Sequence, residues 1–317
     1  MLDINTAWER MTFDLFSQPG GDSRDGPVAG ERLGFHLQLA AGPGRLLTHP
    51  MRCVNPIYAA ADVLWNLGTT DEISMIKCYS PKYERFANDG VAWGHYGTRL
   101  HPVLKQLLAT LTDKQDSRQI VLPIFNMQDL KEVRGGTVKD IPCALSVQFL
   151  IRKGVLHIQV NMRSNDVWLG FPYDVFFWSC VQHLLAQQLG LKEGTYTHTA
   201  GSLHLYERYA DRLVFGDRPF PPPPPPHIWT TSTMNITKQI TVATNLEADA
   251  RDDTIDPIQV IKQAVPDLLG HGTLMADIVT CCVFRGLSFD ESKDHLSYIY
   301  DENLRIAMQQ FIMKGKP

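Results

Sequence analysis

The chain has 317 residues, of which 44% are hydrophobic and 20% are charged, so it can bury a sizeable core and is not disordered as a whole. The formal net charge of -4 and the lack of a Lys/Arg block argue against nucleic-acid binding, although a few arginines can still form a pocket for a small anion. Six cysteines without a CxxC pair favour free thiols in a reducing cytoplasm and indicate neither a metal site nor a disulfide framework.

The N-terminus and the apolar segments carry no targeting signal that we can identify. Residues 1–5 lack a basic region followed by an apolar run, so we expect no signal peptide. No apolar stretch is long enough to cross a bilayer. We therefore expect a cytoplasmic protein without membrane contact.

Hydrophobic periodicity predicts alternating helices and strands in the first part of the chain. The predicted elements are a helix over 5–16, a loop over 18–30, a strand over 32–39, a helix over 58–67, an aromatic loop over 77–97, a helix over 100–111 and a strand over 119–125. Arg24 lies among loop glycines, where it is either solvated or close to a ligand. Asp62 lies in an apolar helix, either at a solvent edge or in a cavity.

The middle of the chain predicts the core. Strands over 144–152 and 155–162 meet at Lys153-Gly154, and their nearly continuous apolar character suggests a sheet covered on both faces. A helix over 173–189 is apolar nearly all round and should be the central buried helix. Asp174 would lie in its first turn, where the helix dipole favours a carboxylate, so a purely structural role is possible for it.

A proline run divides the chain. Pro221–Pro226 cannot form a helix or a central strand, which predicts an extended linker over 219–227 after a catalytic core over 1–218. Residues 228–317 would form a C-terminal region packed on the core, with strand-like alternation over 236–242 and helices over 256–314.

Polar chemistry is concentrated between residues 141 and 206. Cys143 follows Pro142 at the start of a buried strand, where a thiol is either a small core residue or a nucleophile. Arg163-Ser164 supplies a guanidinium and a hydroxyl, donors that suit a phosphate or a carboxylate. A nearby arginine also lowers the pKa of a thiol and raises its thiolate fraction.

These residues form a pattern of separate motifs in a fixed order. The motifs are Pro142-Cys143, Gln148-Phe149, Arg163-Ser164-x-Asp166, Leu169-Gly170 and Gly201-x-x-His204-x-Tyr206. The pattern resembles thymidylate synthases and, more closely, the related cytidylate hydroxymethylases of phages and nucleoside-antibiotic pathways. The resemblance covers about residues 11–209 and does not extend to the proline run or the C-terminal third.

The resemblance implies an α/β (α+β) fold, with a large mixed sheet covered by helices and a homodimer formed across the sheet face. It implies that Cys143 adds to C6 of a pyrimidine nucleotide and that 5,10-methylenetetrahydrofolate delivers a one-carbon unit to C5. Asp62 stands where the family has a glutamate that manages protons and water, and Tyr96 would belong to the same network. We expect no nucleic acid, membrane or metal to take part in this reaction.

The resemblance also assigns binding residues. Those for the 5′-phosphate are Arg24, Arg163, Ser164 and, acting in trans, Arg118 of the partner subunit. His204 and Tyr206 would contact the sugar, while Asp166, with Gly170, would contact the pterin. Gln119 departs from the synthase pattern, because it replaces the second arginine of the phosphate pair.

Asp174 indicates the base. Synthases have asparagine here, which pairs with uracil, whereas a carboxylate accepts from the amino group of cytosine and can share a proton with N3. The leading hypothesis is therefore a CMP or dCMP 5-hydroxymethylase that adds water after one-carbon transfer. A nucleotide methylase, and a non-catalytic nucleotide-binding protein on the same fold, remain as alternatives. Segment Tyr79–Tyr83 and Ala144 after the cysteine favour water addition.

Overall fold

The computed structural model describes residues 2–42, 45–213 and 229–315. Within these residues, six strands form one mixed sheet: β1 (Gly21–Ser23), β2 (Gly26–Leu39), β3 (Val121–Pro123), β4 (Ala144–Arg152), β5 (Val155–Asp166) and β6 (Lys192–Tyr206). Their order across the sheet is β1-β2-β6-β5-β4-β3. Strands β5 and β6 run parallel, and the other neighbours are antiparallel. The predicted mixed sheet is confirmed.

The β4–β5 hairpin brings distant polar residues together. Lys153 and Gly154 adopt φ values of 51° and 74°, the left-handed conformation that a tight two-residue hairpin turn requires. The resulting register pairs Ala144 with Met162. Cys143 and Arg163 therefore lie side by side at the far end of the hairpin, although the turn separates them in sequence.

The helices lie before, between and after the strands. The helices of the first two thirds are α1 (Ile4–Phe16), α2 (Pro56–Leu67), α3 (Ser74–Tyr79), α4 (Gly97–Leu100), α5 (Leu104–Asp113), α6 (Met127–Gly135), α7 (Gly170–Gln188) and α8 (Glu207–Ala210). The C-terminal helices are α9 (Ile236–Arg251), α10 (Pro257–Gln259), α11 (Val265–Leu269), α12 (Leu274–Val283), α13 (Phe289–His295) and α14 (Glu302–Met313).

Helix α7 is the predicted central helix and packs on β5 and β6. Its side chains are buried from Val175 to Ala186, which confirms the interpretation of its apolar sequence. The helix begins at Gly170, with Pro172 in the first turn, where the missing N–H of proline costs nothing. Asp174 consequently lies in the second turn, so the predicted helix-dipole contribution to this carboxyl is wrong.

The sheet has one buried face and one partly exposed face. From Val147 to Arg152 and from Val155 to Met162, buried residues alternate with half-buried ones. Gln148 and Gln159 belong to the half-buried set. Among the described residues, the second face is therefore only partly covered, because polar residues interrupt the apolar runs on it.

The C-terminal region is helical where a strand was predicted. Helix α9 replaces the strand over 236–242, because Asn235 caps it by accepting from the backbone N–H of Lys238 at 2.9 Å. Ile236, Ile240 and Ala243 are buried at helical spacing. Helix α12 packs against α2 and α9, so this region adjoins the core. The predicted proline linker lies outside the described residues.

Three further stretches differ from prediction. The predicted loop over 18–30 contains β1 and the start of β2, which form a short hairpin. The aromatic stretch over 77–97 contains the end of α3 and a 3₁₀ turn at Pro81–Phe86. Helix α6 was not predicted; its Asn126–Asp129 capping box stabilises a mostly exposed helix. In the described part of the chain, no helix has the length and apolar character that a bilayer crossing demands.

Candidate active site

A cavity of about 470 Å³ opens beside the start of β4, between α2 and α7. All four predicted catalytic residues and Gly170 line it. These are Asp62, Tyr96, Cys143, Gly170 and Asp174. The structure thus gathers residues from α2, the segment before α4, the start of β4 and α7 around one space. Residues separated by more than a hundred positions meet there because α7 packs against both α2 and the sheet.

Cys143 is held by the neighbouring strand. The N–H of Arg163 donates to the carbonyl of Cys143 at 2.8 Å, and the guanidinium donates to the carbonyls of Ile141 and Pro142 at 2.9 and 3.0 Å. Nη2 of Arg163 also lies 3.7 Å from Sγ. The arginine lowers the pKa of the thiol as predicted, but burial outweighs it and raises that pKa to about 12. The thiol of the protein alone is therefore mostly protonated near neutral pH.

Asp174 has two donors inside the cavity wall. Its Oδ2 accepts from Nδ2 of Asn165 at 2.7 Å, and its Oδ1 accepts from the hydroxyl of Tyr96 at 3.3 Å. Burial raises the pKa of Asp174 to about 7, although both hydrogen bonds oppose that rise. The group can therefore be a carboxylate or a neutral acid near neutral pH.

Asp62 belongs to a second hydrogen-bonded group on α2. Its Oδ1 accepts from Nδ2 of Asn66 at 3.1 Å, and Oδ1 of Asn66 accepts from the backbone N–H of Tyr96 at 3.2 Å. Burial, followed by the charge of Asp174, raises the pKa of Asp62 to about 8. A carboxyl with such a pKa can accept and return a proton near neutral pH.

Asp140 is a cavity residue that sequence reasoning missed. Burial raises the pKa of Asp140, while Arg163 and Arg24 pull it down. A Cβ at Gly94 would lie 2.3 Å from Oδ2 of Asp140, so a larger residue at this position would displace the Asp140 carboxyl. The sequence signal was its position three residues before Cys143. Asn66, four residues after Asp62 on the same helix face, was a similar signal.

The predicted phosphate residues are dispersed around the cavity. Arg24 is exposed in the β1–β2 turn and pairs with Asp25 at 3.0 Å, yet its charge reaches Cys143 and Asp140. Ser164 lies on β5 opposite Ser202. Arg118 is exposed at the opposite edge, where its carbonyl accepts from Gln148 at 2.8 Å, and it does not line this cavity.

The predicted sugar and pterin residues lie together at the ends of β5 and β6. Asp166 and His204 are neighbours in the parallel ladder, and the rings of His204 and Tyr206 meet edge to face at 5.0 Å. Oδ1 of Asp166 accepts from the N–H groups of Trp168 and Leu169 at 2.7 and 3.1 Å. Its Oδ2 is buried and has no hydrogen-bond partner among the described residues.

The unpartnered Oδ2 of Asp166 bears on whether the site suits a pterin. A buried carboxylate oxygen without a donor is costly unless a ligand supplies one. The amino and ring N–H groups of a pterin are such donors. Leu169, Gly170 and Tyr79 line the adjacent cavity. The residues present therefore fit the group. In the described residues, no cluster of His, Cys, Asp and Glu is arranged to hold a metal ion.

A thiol and three carboxyls around one cavity, with an arginine beside the sulfur, define a site equipped for covalent catalysis. The family model described as thymidylate synthase matches residues 64–242, more than half of the sequence. The chain therefore belongs to the thymidylate synthase family, and the predicted fold is confirmed. Asp62 and Arg24 precede the matched residues.

Three curated relatives agree with this assignment. The chain is 31% identical over 160 residues to a thymidylate synthase of Symbiobacterium thermophilum, a match covering 49% of this chain and 50% of the relative. It is 27% identical over 201 residues to a deoxyuridylate hydroxymethyltransferase of Pseudomonas phage M6, covering 61% and 56%. It is 32% identical over 189 residues to a thymidylate synthase of Buchnera aphidicola, covering 56% and 69%. The chain thus spans about half the length of the first two relatives.

Proposed function

We propose that this protein is a cytidylate 5-hydroxymethylase, which transfers a one-carbon unit from 5,10-methylenetetrahydrofolate to C5 of CMP or dCMP and then adds water. The observation that carries the proposal is that Cys143 and Asp174 face one cavity. A nucleophile and a group that reads the base edge must both reach a single pyrimidine ring. The cavity of about 470 Å³ is of the size expected for a small-molecule site.

Cys143 would begin the reaction. As Sγ bonds to C6 of the ring, the thiol proton must leave and the C5–C6 electron pair moves to C5, which becomes nucleophilic. Asp140 lies near enough that its charge raises the pKa of the thiol, so its carboxylate is a suitable acceptor for that proton. Arg163 stabilises negative charge on the sulfur from 3.7 Å.

Asp174 would select cytosine. As a neutral acid it presents a hydroxyl to N3 and a carbonyl oxygen to the exocyclic amino group. Uracil has a donor at N3 and an acceptor at position 4, the reverse arrangement, and a buried site penalises such mismatches. The raised pKa of about 7 keeps the acid form available at neutral pH. The phage relative is named for deoxyuridylate, so base choice is the point at which this chain would differ from it.

Asp62 would manage water and protons at C5. Its carboxyl lines the same cavity, and its pKa of about 8 suits both removal of the C5 proton and activation of water. Asn66 donates to one of its oxygens and fixes its orientation.

Bound methylenetetrahydrofolate would supply the one-carbon unit. Asp166 would hold its pterin through the unpartnered Oδ2, and Gly170 would let the ring approach the backbone. Tyr79 would form part of the adjacent wall. His204 and Tyr206 would hold the sugar, while Arg24, Arg163 and Ser164 would hold the phosphate.

A symmetric homodimer across the partly exposed sheet face would complete the phosphate site. Arg118 is exposed at the opposite edge of the sheet from Arg24 and, like Arg24 and Arg163, does not line the cavity of its own subunit. We infer that Arg118 of the partner subunit supplies the remaining cation. Mixed dimers test this arrangement. Arg118→Ala and Cys143→Ala subunits, each inactive alone, should regain about a quarter of wild-type activity when mixed equally, through dimers with one intact site. No regained activity in verified mixed dimers would refute action in trans.

The second candidate is a nucleotide methylase, because two of the relatives are named thymidylate synthase. One experiment separates the candidates. The protein is incubated with CMP, dCMP, UMP or dUMP and methylenetetrahydrofolate, and the product mass is measured. A hydroxymethyl product on a cytosine nucleotide supports the proposal, whereas a methyl product with absorbance of dihydrofolate supports the methylase. Nucleotide binding without any product would indicate a non-catalytic protein.

A further inference from the structure

A line of buried hydrogen bonds runs from the sheet core to Asp174. The hydroxyl of Tyr196 lies 3.2 Å from Nδ1 of His198, and Nε2 of His198 lies 3.0 Å from Oδ1 of Asn165. Nδ2 of Asn165 then donates to Oδ2 of Asp174 at 2.7 Å. Tyr196 and His198 on β6 are fully buried, and Asn165 on β5 is 3% exposed. None of these three residues lines the cavity or has a role in the reaction described above.

The hydrogen bonds of this line have a fixed direction. Because Asn165 donates its amide N–H to Asp174, its carbonyl oxygen faces His198 and requires a proton on Nε2. A neutral imidazole then has no proton on Nδ1, which accepts from the hydroxyl of Tyr196. Every donor in the line consequently points toward Asp174.

The surroundings keep His198 neutral. Burial lowers the pKa of His198 to about 3. The guanidinium of Arg45 lies 5.5 Å from the centre of the Tyr196 ring, so a second cation on His198 would also be repelled. Arg45 is itself fixed by Gln182 at 2.9 Å and by the carbonyls of Ala40 and Gly194.

The fixed direction determines where Asp174 can carry a proton. Oδ2 must remain an acceptor, because a proton on Oδ2 would point at the N–H of Asn165 and the two hydrogens would repel each other. A proton on Asp174 therefore resides on Oδ1, the oxygen that faces Tyr96 at 3.3 Å. The neutral acid therefore presents a donor at Oδ1 and an acceptor at Oδ2 to a bound base, and it cannot present the reverse order.

We propose that Asn165, held by His198 and Tyr196, is a specificity-determining positioning residue that fixes the proton-bearing oxygen of Asp174 and thereby the choice between cytosine and uracil. This inference rests on the proposed function. Cytosine and uracil present opposite orders of donor and acceptor at N3 and position 4. An acid with a fixed order pairs with one base, whereas an acid whose proton can move to the other oxygen pairs with both.

The hydrogen-bonded line from Tyr196 through His198 and Asn165 to Asp174 is called the relay below. Two variants test it through the ratio of kcat/KM for CMP to kcat/KM for UMP. Asn165→Leu removes the block on Oδ2, and we expect the ratio to fall about 10-fold or more. Tyr196→Phe lets His198 change tautomer and Asn165 turn its amide, and we expect a smaller fall in the same direction. Tyr196→Phe removes one hydroxyl, so it tests the relay even where Asn165→Leu folds poorly.

Thr199→Val is the matched control. It removes a hydrogen bond of 2.7 Å to Asn161 from the same strand, next to His198 but outside the relay. We expect both kcat/KM values to change together and the ratio to stay constant. A ratio that is unchanged in both relay variants would overturn the inference, as would an equal fall in Thr199→Val.

The tautomer of His198 provides a readout that needs no substrate. We expect ¹⁵N spectra of the intact protein, assigned with a His198→Asn variant, to show a neutral ring with its proton on Nε2. A proton on Nδ1 would refute the relay. A wild-type enzyme without cytosine preference would refute the proposed function instead. Cytosine preference that survives in both Asn165→Leu and Tyr196→Phe would refute the relay alone.

Discussion

Nη2 of Arg163 lies 3.7 Å from Sγ of Cys143, yet the pKa of that thiol is raised to about 12. Removal of the sulfur from water outweighs one nearby cation, and the charges of Asp174 and Asp140 add to the rise. The resting thiol is thus protonated at neutral pH. In the proposed reaction, that proton would have to leave as Sγ bonds to C6.

Replacement of Arg163 should slow alkylation of Cys143. In Arg163→Leu the thiol loses its cation, its pKa rises further, and its rate with iodoacetamide at a fixed pH should fall about 10-fold. Arg163→Lys keeps a charge and is the matched control. The rate is measured by mass spectrometry of the peptide containing Cys143, because Cys78 is exposed and can react as well. Equal rates in the two variants would show that the guanidinium charge does not reach the sulfur.

Cys143→Ala should abolish turnover and retain nucleotide binding. Without Sγ no covalent bond to C6 can form, so we expect a loss of at least about 1000-fold in kcat. Calorimetry should show CMP binding within a few-fold of wild type, since the phosphate, sugar and base contacts remain. Turnover at wild-type rate would remove the nucleophile from the scheme.

Asp174→Asn should shift the preference toward uracil nucleotides. When Asn165 turns its own amide to accept from the new one, the new amide presents an N–H donor to O4 and an oxygen to the N3 proton, the order that the acid held by Asn165 does not offer. The kcat/KM ratio of CMP to UMP should fall by about 100-fold or more. Asp166→Asn, which changes a carboxyl outside the base pocket, is the control. Intact cytosine preference in Asp174→Asn would contradict this assignment of the base pocket.

Asp62→Asn should stabilise the fold at alkaline pH. The pKa of Asp62 is about 8 in the fold and about 4 in an unfolded chain. The folded state therefore holds the proton more tightly, and this contribution is complete below pH 4 and is lost as pH rises toward 8. The amide variant does not titrate and so avoids that loss of unfolding free energy, which is roughly 1.4 kcal/mol per unit of pKa shift.

The measurement is the difference in Tm between Asp62→Asn and wild type at pH 5 and at pH 8.5. We expect the Tm of the variant to rise relative to that of wild type as the pH rises. The difference in Tm is used because the contributions of the other titrating groups cancel in it. A difference that is the same at both pH values would mean that the Asp62 carboxyl is not held protonated by burial.

Arg251→Met should destabilise the protein through Glu247. The hydroxyl of Tyr79, a cavity residue, donates to Oε1 of Glu247 at 2.6 Å, and Arg251 donates to the same oxygen at 2.9 Å. Glu247 is 1% exposed, so loss of the cation leaves a buried carboxylate with one partner. We expect a loss of about 1–3 kcal/mol in the free energy of unfolding by urea. Arg251→Lys should recover part of it.

Local sequence predicted the parts of the fold that depend on local rules. The β4–β5 hairpin follows from two apolar runs around Lys153-Gly154, and α7 follows from a long apolar segment. The error at α9 has a local cause as well. Over 236–242 the alternation of Ile and Thr suits a strand, and only the longer spacing through Leu246 and Ala250 reveals the helix.

The residues that share the cavity were predictable where a motif contains them, and the contacts that depend on tertiary structure were not. The motifs identified Cys143 and Asp174, which share the cavity. They did not identify Asn165, since its contact with His198 depends on the parallel pairing of β5 and β6. The raised pKa of Cys143 was missed for the same reason, because burial depends on the whole fold.

Helix α2, which carries Asp62, lies against α12, and α12 lies against α9. Residues 229–315 therefore form the outer support of a helix that lines the cavity and are no detachable appendage. A polypeptide shortened to its first 213 residues would leave the apolar back of α2 facing water. The position of Asp62 in the cavity thus depends on packing in the final third of the chain, although none of the described residues there lines the cavity.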